Sequence, residues 1–193
     1  MPTGWQYGNW KMTYSSQPAY LPVLNLQWDS SPLFPQSDVL PGQNNDLDSY
    51  QLENSTVVIT AYGVDTPRRS NDKSLGAEWD DVYDYVGKGN ISPDNNTFEI
   101  ISWGYDTDGV PYAVIYETPV AATDATAGLD IESRSDTGPS ETTLQAIKDA
   151  LLSLGNEQIT ELVNQTVPLV QNGARKGSAP VVCDAFCVDN SDL

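Results

Sequence analysis

Two apolar segments on either side of a polar tetrapeptide decide the fold of this chain: TFEIISWGY (97–105), DTDG (106–109) and PYAVIYET (111–118). Val, Ile, Thr and aromatic residues dominate both segments, and this composition favours β-strands. Asp and Gly in the tetrapeptide are typical of a tight turn. The stretch therefore predicts an antiparallel β-hairpin.

Similar short segments run through the chain up to residue 134, separated by clusters of Gly, Pro, Asn and Asp. In one of them alternation places Tyr83 and Tyr85 on one face, which indicates a half-exposed strand. Eight predicted strands with no helix between them indicate an all-β barrel or sandwich. The predicted strands cover residues 9–16, 24–29, 48–53, 55–63, 81–86, 97–105, 111–118 and 128–134.

One helix is predicted after the strands. Ser140 is a suitable residue to cap its start, and Gly155 stands where a helix end is expected. We therefore expect a helix over about 140–154, packed against the outside of the sheet, and a C-terminal extension over 156–193. An apolar stripe at spacings of three and four residues supports the helix: Leu144, Ile147, Leu151 and Leu154.

Composition excludes several classes of function. The chain has 193 residues, 9 Lys+Arg against 27 Asp+Glu and no His, so its formal net charge is −18. A surface this acidic repels phosphate, which argues against nucleic-acid binding and against docking on anionic membranes. Without His, Ser-His-Asp hydrolysis, Cys-His chemistry and most catalytic zinc sites are excluded. No apolar run approaches the roughly 18 residues of a membrane helix.

Three motifs, in order along the chain, resemble those of the lipocalins. GNW (8–10) opens the first strand like the Gly-x-Trp signature of that family, and TDG (107–109) stands where the family has Thr-Asp-Tyr. Ser133-Arg134, just before the helix, is similar to the third motif. The likeness is clearest over residues 97–155 and is closest to the apolipoprotein D and bilin-binding branch. It implies one domain over residues 1–193, with an eight-stranded up-and-down antiparallel barrel over about 8–135 and one C-terminal helix outside it.

Two departures from that branch affect how the barrel is stabilised. Gly109 replaces the usual Tyr of the second motif. The branch normally has two disulfides, whereas this chain has no Cys before Cys183. The barrel must therefore be stabilised by packing and hydrogen bonds alone.

The resemblance implies that the barrel interior binds a small, mostly apolar molecule. It also implies a structural plug in which Arg134 packs over Trp10, a cation–π pair worth roughly 0.5–2 kcal/mol. If β-strand residues face inward and outward at the same positions as in the family, alternation turns Glu117, Asp130 and Glu132 inward. The alternative is that these acids lie at the solvent-exposed rim of the barrel or pair with Arg134. The candidate ligand-contacting residues are Met12, Tyr14, Trp28, Tyr62, Trp103, Ile115, Glu117 and Asp130.

The character of the ligand follows from the scarcity of basic residues on the predicted strands. Lys11 should face outward and Arg134 belongs to the plug, so an anionic ligand would lack a partner. No Lys is placed to form a Schiff base and no Cys lies in the barrel, which indicates non-covalent binding. We expect a neutral or cationic pigment, retinoid, terpenoid or similar hydrophobic metabolite, and no cofactor other than such a ligand or chromophore.

Two other functions stay open from the sequence. The first is a lipocalin-like isomerase or cyclase acting on a hydrophobic substrate, with Glu117 or Asp130 as an acid whose pKa is raised by burial. The second is a glycosylated surface-interaction protein. Binding and transport or sequestration of a ligand is the leading hypothesis, because nothing in the sequence resembles a dedicated active site.

No metal site is predicted. Asp106, Asp108 and Glu117 resemble part of a calcium loop, but the glycine is at the fourth position of that loop rather than the sixth. A hairpin turn explains the same residues.

Sequons and cysteines bear on the compartment. Asn54, Asn90, Asn95 and Asn164 each begin an N-glycosylation sequon. Cys183 and Cys187 are spaced to close a small disulfide loop, with two free thiols as the alternative. We expect a secreted glycoprotein, with a cytoplasmic protein as the alternative.

Overall fold

The computed structural model describes residues 1–2, 4–34, 42–68, 81–92 and 94–181. Within these ranges nine strands form one sheet. They are β1 (Gly8–Ser15), β2 (Val23–Pro32), β3 (Asn44–Leu52), β4 (Val58–Pro67), β5 (Val82–Gly87), β6 (Asn95–Tyr105), β7 (Pro111–Glu117), β8 (Gly128–Ser133) and β9 (Val167–Pro168).

The first eight strands close into an antiparallel barrel. Each strand pairs with its neighbour in sequence, and β1 pairs with both β2 and β8, so the sheet has no open seam between its first and last barrel strands. The predicted eight-stranded barrel is confirmed, and each predicted strand coincides with one of β1 to β8. The hairpin at residues 106–109 is also confirmed, because β6 and β7 pair on either side of it.

Helix α1 (Glu141–Ser153) confirms the predicted helix and its position outside the barrel. Ser140 caps it by accepting a hydrogen bond from the backbone N–H of Thr143. Its apolar stripe packs on the outer face of β7 and β8, in a cluster that contains Val114, Leu129, Ile131, Leu144, Ile147 and Leu151.

A second helix, α2 (Glu157–Gln165), lies in the segment that was expected only as an extension. Asn156 caps its start, and its two buried residues, Leu162 and Val163, join the cluster outside β8. The helix is only nine residues long, so its apolar stripe is too short to be distinct in the sequence. No helix in the described ranges is long and apolar enough to cross a membrane.

The chain after α2 continues along the outside of the barrel as far as residue 181. The side-chain amide of Gln171 donates to the carbonyl oxygens of Met12 and Leu26, each at 2.9 Å, and so bridges β1 and β2. Arg175 is 8% exposed and donates to the carbonyl and the hydroxyl of Ser49, at 3.1 and 3.0 Å. The tail is therefore fixed to the barrel by polar contacts.

Candidate ligand site inside the barrel

Aromatic rings and one arginine close one end of the barrel. Trp10 is fully buried, and its indole N–H donates to the carbonyl of Gln6 at 2.7 Å. The guanidinium of Arg134 lies 4.7 Å from the Trp10 ring centroid and donates to the carbonyls of Trp5 and Tyr7 at 3.1 and 2.6 Å. The Trp5 ring stacks at a tilt against Trp10, 4.8 Å between centroids. The pair expected as a plug is thus held in place by the N-terminal segment.

The glycine of the first motif has a steric role at this end. Gly8 has a φ of +122°, a region that side chains strongly disfavour. A Cβ atom at this position would also lie 3.2 Å from a guanidinium nitrogen of Arg134. Glycine therefore allows the arginine to reach Trp10.

Beyond the plug, the interior has an aromatic floor, which we define as Trp28, Tyr83 and Phe98. Trp28 meets Phe98 edge to face at 6.3 Å, and Tyr83 stacks on Phe98 at 5.1 Å. Ile100 and Ile115 belong to the same buried cluster. Tyr83 is buried on the inner face of β5, whereas the side chain of Asp84 on its other face is 43% exposed, as expected for a half-exposed strand.

Three carboxyl groups on β3 and β4 also face the interior; we call them the β3–β4 acids (Asp46, Asp48 and Asp65). Asp48 lies directly opposite Trp28 in the β2–β3 ladder, so it points to the same face as that inward ring. Asp46 is two residues away on the same strand and therefore shares this face. Asp65 has the carboxyl group of Asp46 as its hydrogen-bonding neighbour.

Three more carboxyl groups come from β7 and β8; we call them the β7–β8 acids (Glu117, Asp130 and Glu132). In the ladder Asp130 pairs with Ile115 and Glu132 pairs with Ala113, both of which belong to the inward cluster. Asp130 and Glu132 are 0% and 1% exposed. The predicted inward phase of β7 and β8 therefore agrees with the geometry.

These six acids form no ion pair with a basic group of the described residues. The two described ion pairs are Arg68 with Asp84 and the N-terminal amino group with Asp81, and neither involves the barrel interior. Among the described residues, both carboxyl oxygens of Asp65, both of Asp130 and Oε2 of Glu132 have no hydrogen-bond donor of normal geometry. Burial and Glu117 raise the pKa of Asp130, and the hydroxyl of Ser15 offsets this in part.

Burial and mutual repulsion raise the pKa values of the acids. Burial raises the pKa of Asp65 to about 8 and that of Glu117 to about 7. The pKa of Asp46 is raised by burial, by Asp65 and also by Glu117, and that of Glu132 by burial, Asp130 and also Asp48. Acids of β3–β4 and of β7–β8 therefore influence one another across a shared interior.

The opposite end of the barrel is covered by the connection between β1 and β2. Gln17 is buried there, donates to the carbonyl of Thr126 at 2.9 Å and bonds to Glu117. Tyr20 follows in a 3-10 turn over Pro18–Tyr20, and the charge of Glu117, burial and Asp130 raise the pKa of its phenol. This segment therefore stands between the acids and solvent.

Five of the predicted ligand-contacting residues face the interior: Met12, Trp28, Ile115, Glu117 and Asp130. Two predicted positions are wrong. A bulge between Met12 and Tyr14 turns Tyr14 outward onto the cluster of α1. Tyr62 packs with Leu47 on the outer face, where its hydroxyl donates to Asn45.

Trp103 lies on the inner face of β6 but at the closed end of the barrel. A register shift between Ile100 and Ser102 puts it opposite Ala113 of the inward cluster, and its ring lies 5.4 Å from that of Trp5. It is 38% exposed. Bulges reverse the inward and outward alternation, and they leave no signature in these sequences.

The β3–β4 acids were missed by the sequence analysis. The predicted strand began at residue 48, which left Asp46 outside it, and no phase was assigned to the strand. The signal was present, because Asp46, Leu47 and Asp48 alternate in polarity as a half-buried strand does. The alternation did not reveal that Asp46 and Asp48, rather than Leu47, face the interior of the barrel.

Other predicted positions are placed as follows. Asn54, Asn95 and Asn164 have exposed side chains, whereas the side chain of Asn90 and both Cys183 and Cys187 lie outside what the structure describes. Asp106 accepts hydrogen bonds from the backbone N–H groups of Asp108 and Val110, as a hairpin turn requires. Within the described ranges no three acidic, His or Cys side chains are grouped to hold a metal ion.

Comparisons with known proteins agree with this architecture. Botcinic acid biosynthesis cluster B protein 12 of Botryotinia fuckeliana is 33% identical over 197 residues, covering 99% of this chain and 83% of that protein. H1 crustacyanin from the lobster Homarus americanus superposes with a TM-score of 0.59 at 12% identity, covering 90% of this chain and 82% of that one. Lobster apocrustacyanin A1 gives a TM-score of 0.55 at 14% identity, with 86% and 77% covered. No protein-family model matches the chain.

The fold and its closed end define a β-barrel with an inward-facing site. The chain has the lipocalin fold, and it belongs to the same family as botcinic acid biosynthesis cluster B protein 12 of Botryotinia fuckeliana.

Proposed function

We propose that this protein binds one small, mostly apolar, neutral or cationic molecule non-covalently inside the barrel, and carries or sequesters it. The observation that carries this proposal is the set of buried carboxyl oxygens of Asp65, Asp130 and Glu132 that face the interior without a donor. Buried polar atoms without partners cost free energy. A ligand that donates hydrogen bonds would supply the donors that these carboxyl oxygens lack among the described residues.

The aromatic floor supports the apolar part of the proposal. Trp28, Tyr83 and Phe98 offer ring faces and edges to a hydrophobic body and stack with a planar one. An anionic ligand is disfavoured, because the six acids would repel it and no described basic side chain pairs with them.

The test is a titration of intrinsic Trp fluorescence with octylamine, retinol and dodecanoate. We expect octylamine and retinol to change the emission with saturation, and dodecanoate to have little effect. Trp28 and Trp103 are a matched pair of reporters, because Trp28 is buried in the floor, whereas Trp103 lies beside Trp5 at the closed end and is 38% exposed. Trp28→Phe should abolish most of the change, whereas Trp103→Phe should retain it.

Two results would overturn the proposal. One is the absence of saturable binding by both octylamine and retinol. The other is tight binding of dodecanoate that is insensitive to salt and reported by Trp28, because this would place a carboxylate among the acids.

A lipocalin-like isomerase or cyclase is the second candidate. It is favoured by Asp46 and Asp65, since burial raises the pKa of both neighbouring carboxyl groups and a carboxyl group that keeps its proton is a potential acid. The name of the Botryotinia fuckeliana relative also refers to biosynthesis. The test is to recover a bound polyene and analyse it by chromatography and mass spectrometry. An isomerised or cyclised product that is lost in Asp46→Asn would favour the enzyme, and unchanged polyene would favour the carrier.

A further inference from the structure

We propose that the ligand carries two protonated amino groups, one bound by the β3–β4 acids and the other by the β7–β8 acids. This inference rests on the proposed binding function and names its ligand class: a molecule with an apolar body and two amines.

The number of unpartnered oxygens requires more than one cation. Five such oxygens belong to the inward-facing acids of the described chain: two on Asp65, two on Asp130 and one on Glu132. One primary ammonium group donates three hydrogen bonds. A single amine would therefore leave at least two buried carboxyl oxygens without a donor.

The position of these oxygens places the two cations apart. Asp65 is on β4, whereas Asp130 and Glu132 are on β8. In the closed strand order, three strands separate β4 from β8 in either direction, so the two strands are on opposite sides of the barrel. One ammonium group that contacts Asp65 cannot at the same time contact both acids of β8.

Amines fit this site better than a metal ion does. A divalent cation needs several oxygen ligands around one point, and the described acidic side chains are not grouped in this way. Two separate ammonium groups need only two separate clusters. Each would neutralise its own group of buried acids, which removes much of the cost of burying them as charges.

The aromatic floor faces the same interior as the β3–β4 acids and the β7–β8 acids. Asp48 is opposite Trp28 in the β2–β3 ladder, and Glu117 is opposite Phe98 in the β6–β7 ladder. A hydrophobic spacer between the amines would contact these rings, and an ammonium group next to a ring gains cation–π attraction. The simplest molecules with these features are α,ω-diaminoalkanes.

The experiment is isothermal titration calorimetry of the intact protein near pH 7. The probes are diaminoalkanes of six, eight, ten and twelve carbons and the monoamines of equal length. At the best length we expect the diamine to bind about tenfold more tightly than the monoamine, or better. The length series prevents a wrong spacing from being mistaken for an absent second site.

Variants on each wall test the two-site arrangement. Asp65→Asn removes an acid of β4, and Glu132→Gln removes one of β8. Each should lower the diamine affinity about tenfold, towards that of the monoamine, and should leave the monoamine affinity within about twofold because the other wall remains. Asp108→Asn, on the exposed hairpin turn, should change neither.

The outcomes separate this inference from the proposed function. Equal affinity of mono- and diamine at every length would overturn the two-amine ligand and leave the binding function standing. A loss of diamine affinity in only one of the variants Asp65→Asn and Glu132→Gln would likewise overturn the two-amine ligand. Failure of all amines and of retinol to bind would overturn the binding function itself.

Discussion

The guanidinium of Arg134 lies 4.7 Å from the centroid of the Trp10 ring, at the closed end of the barrel. The two residues are on β1 and just after β8, strands that are far apart in sequence and adjacent in the sheet. Their contact therefore connects the first and last strands of the barrel. The ring of Trp5 also contacts that of Trp10, 4.8 Å between centroids and tilted by 43°.

Trp10→Ala should lower the free energy of unfolding by roughly 3–5 kcal/mol, because a fully buried aromatic side chain is lost from a packed end. Urea denaturation measures this change. Trp103→Ala is the control, since Trp103 belongs to the same aromatic group but is 38% exposed, and it should cost clearly less. Equal losses in the two variants would contradict the role of Trp10 as a plug.

The stability of the ligand-free protein should fall as pH rises from about 5 to about 8. Burial raises the pKa of Glu117 to about 7 and that of Asp65 to about 8, whereas carboxyl groups of an unfolded chain titrate near pH 4. Between these values the folded state binds more protons than the unfolded state, so the free energy of unfolding decreases with pH. Measurements of Tm across this pH range check whether stability decreases with pH. In Asp65→Asn the decrease of Tm with pH should be smaller. A Tm that increases with pH would contradict the burial of ionisable acids.

Asp130→Asn should stabilise the ligand-free protein at pH 8 by about 1–3 kcal/mol. The carboxyl group is 0% exposed and has no donor of normal geometry among the described residues, so its ionised form is costly there. The substitution retains the shape and removes the charge. Urea denaturation of this variant is compared with Asp108→Asn, an exposed acid whose loss should change stability by less than about 0.5 kcal/mol. Destabilisation by Asp130→Asn alone would show that the carboxylate has a partner.

Arg175→Ala should lower the free energy of unfolding by about 2–3 kcal/mol. The guanidinium donates to the carbonyl of Asn25 and to the carbonyl and hydroxyl of Ser49, at 3.0–3.1 Å, and so fixes the tail to β2 and β3. Lys176→Ala is the matched control, because Lys176 is adjacent and exposed. Similar stability in both variants would mean that the tail adds nothing to the barrel.

A glycan is expected on Asn54 or Asn95 in protein purified from its own source, along with a disulfide between Cys183 and Cys187. Both asparagines are exposed and accessible to the transferase. Intact mass before and after deglycosylation, and before and after reduction, tests both modifications. Unmodified asparagines together with free thiols would favour the cytoplasmic alternative.

The sequence by itself determined the local elements. Alternating apolar residues and turn residues predicted all eight barrel strands, because period-two burial is encoded within each strand. The stripe from Leu144 to Leu154 predicted α1 in the same way. The three lipocalin-like motifs added the closure of the barrel, which no single strand encodes.

Only the tertiary structure decided which side chains meet in the interior. The β3–β4 acids and the β7–β8 acids are far apart along the chain, and they share one interior because barrel closure brings opposite walls together. A bulge next to Met12 decided that Tyr14 lies outside it, and a bulge next to Ile100 put Trp103 in register with the inward Ala113. A bulge depends on pairing with the neighbouring strand rather than on local preference, so the phase of a strand beyond it follows from the assembled sheet and not from the sequence.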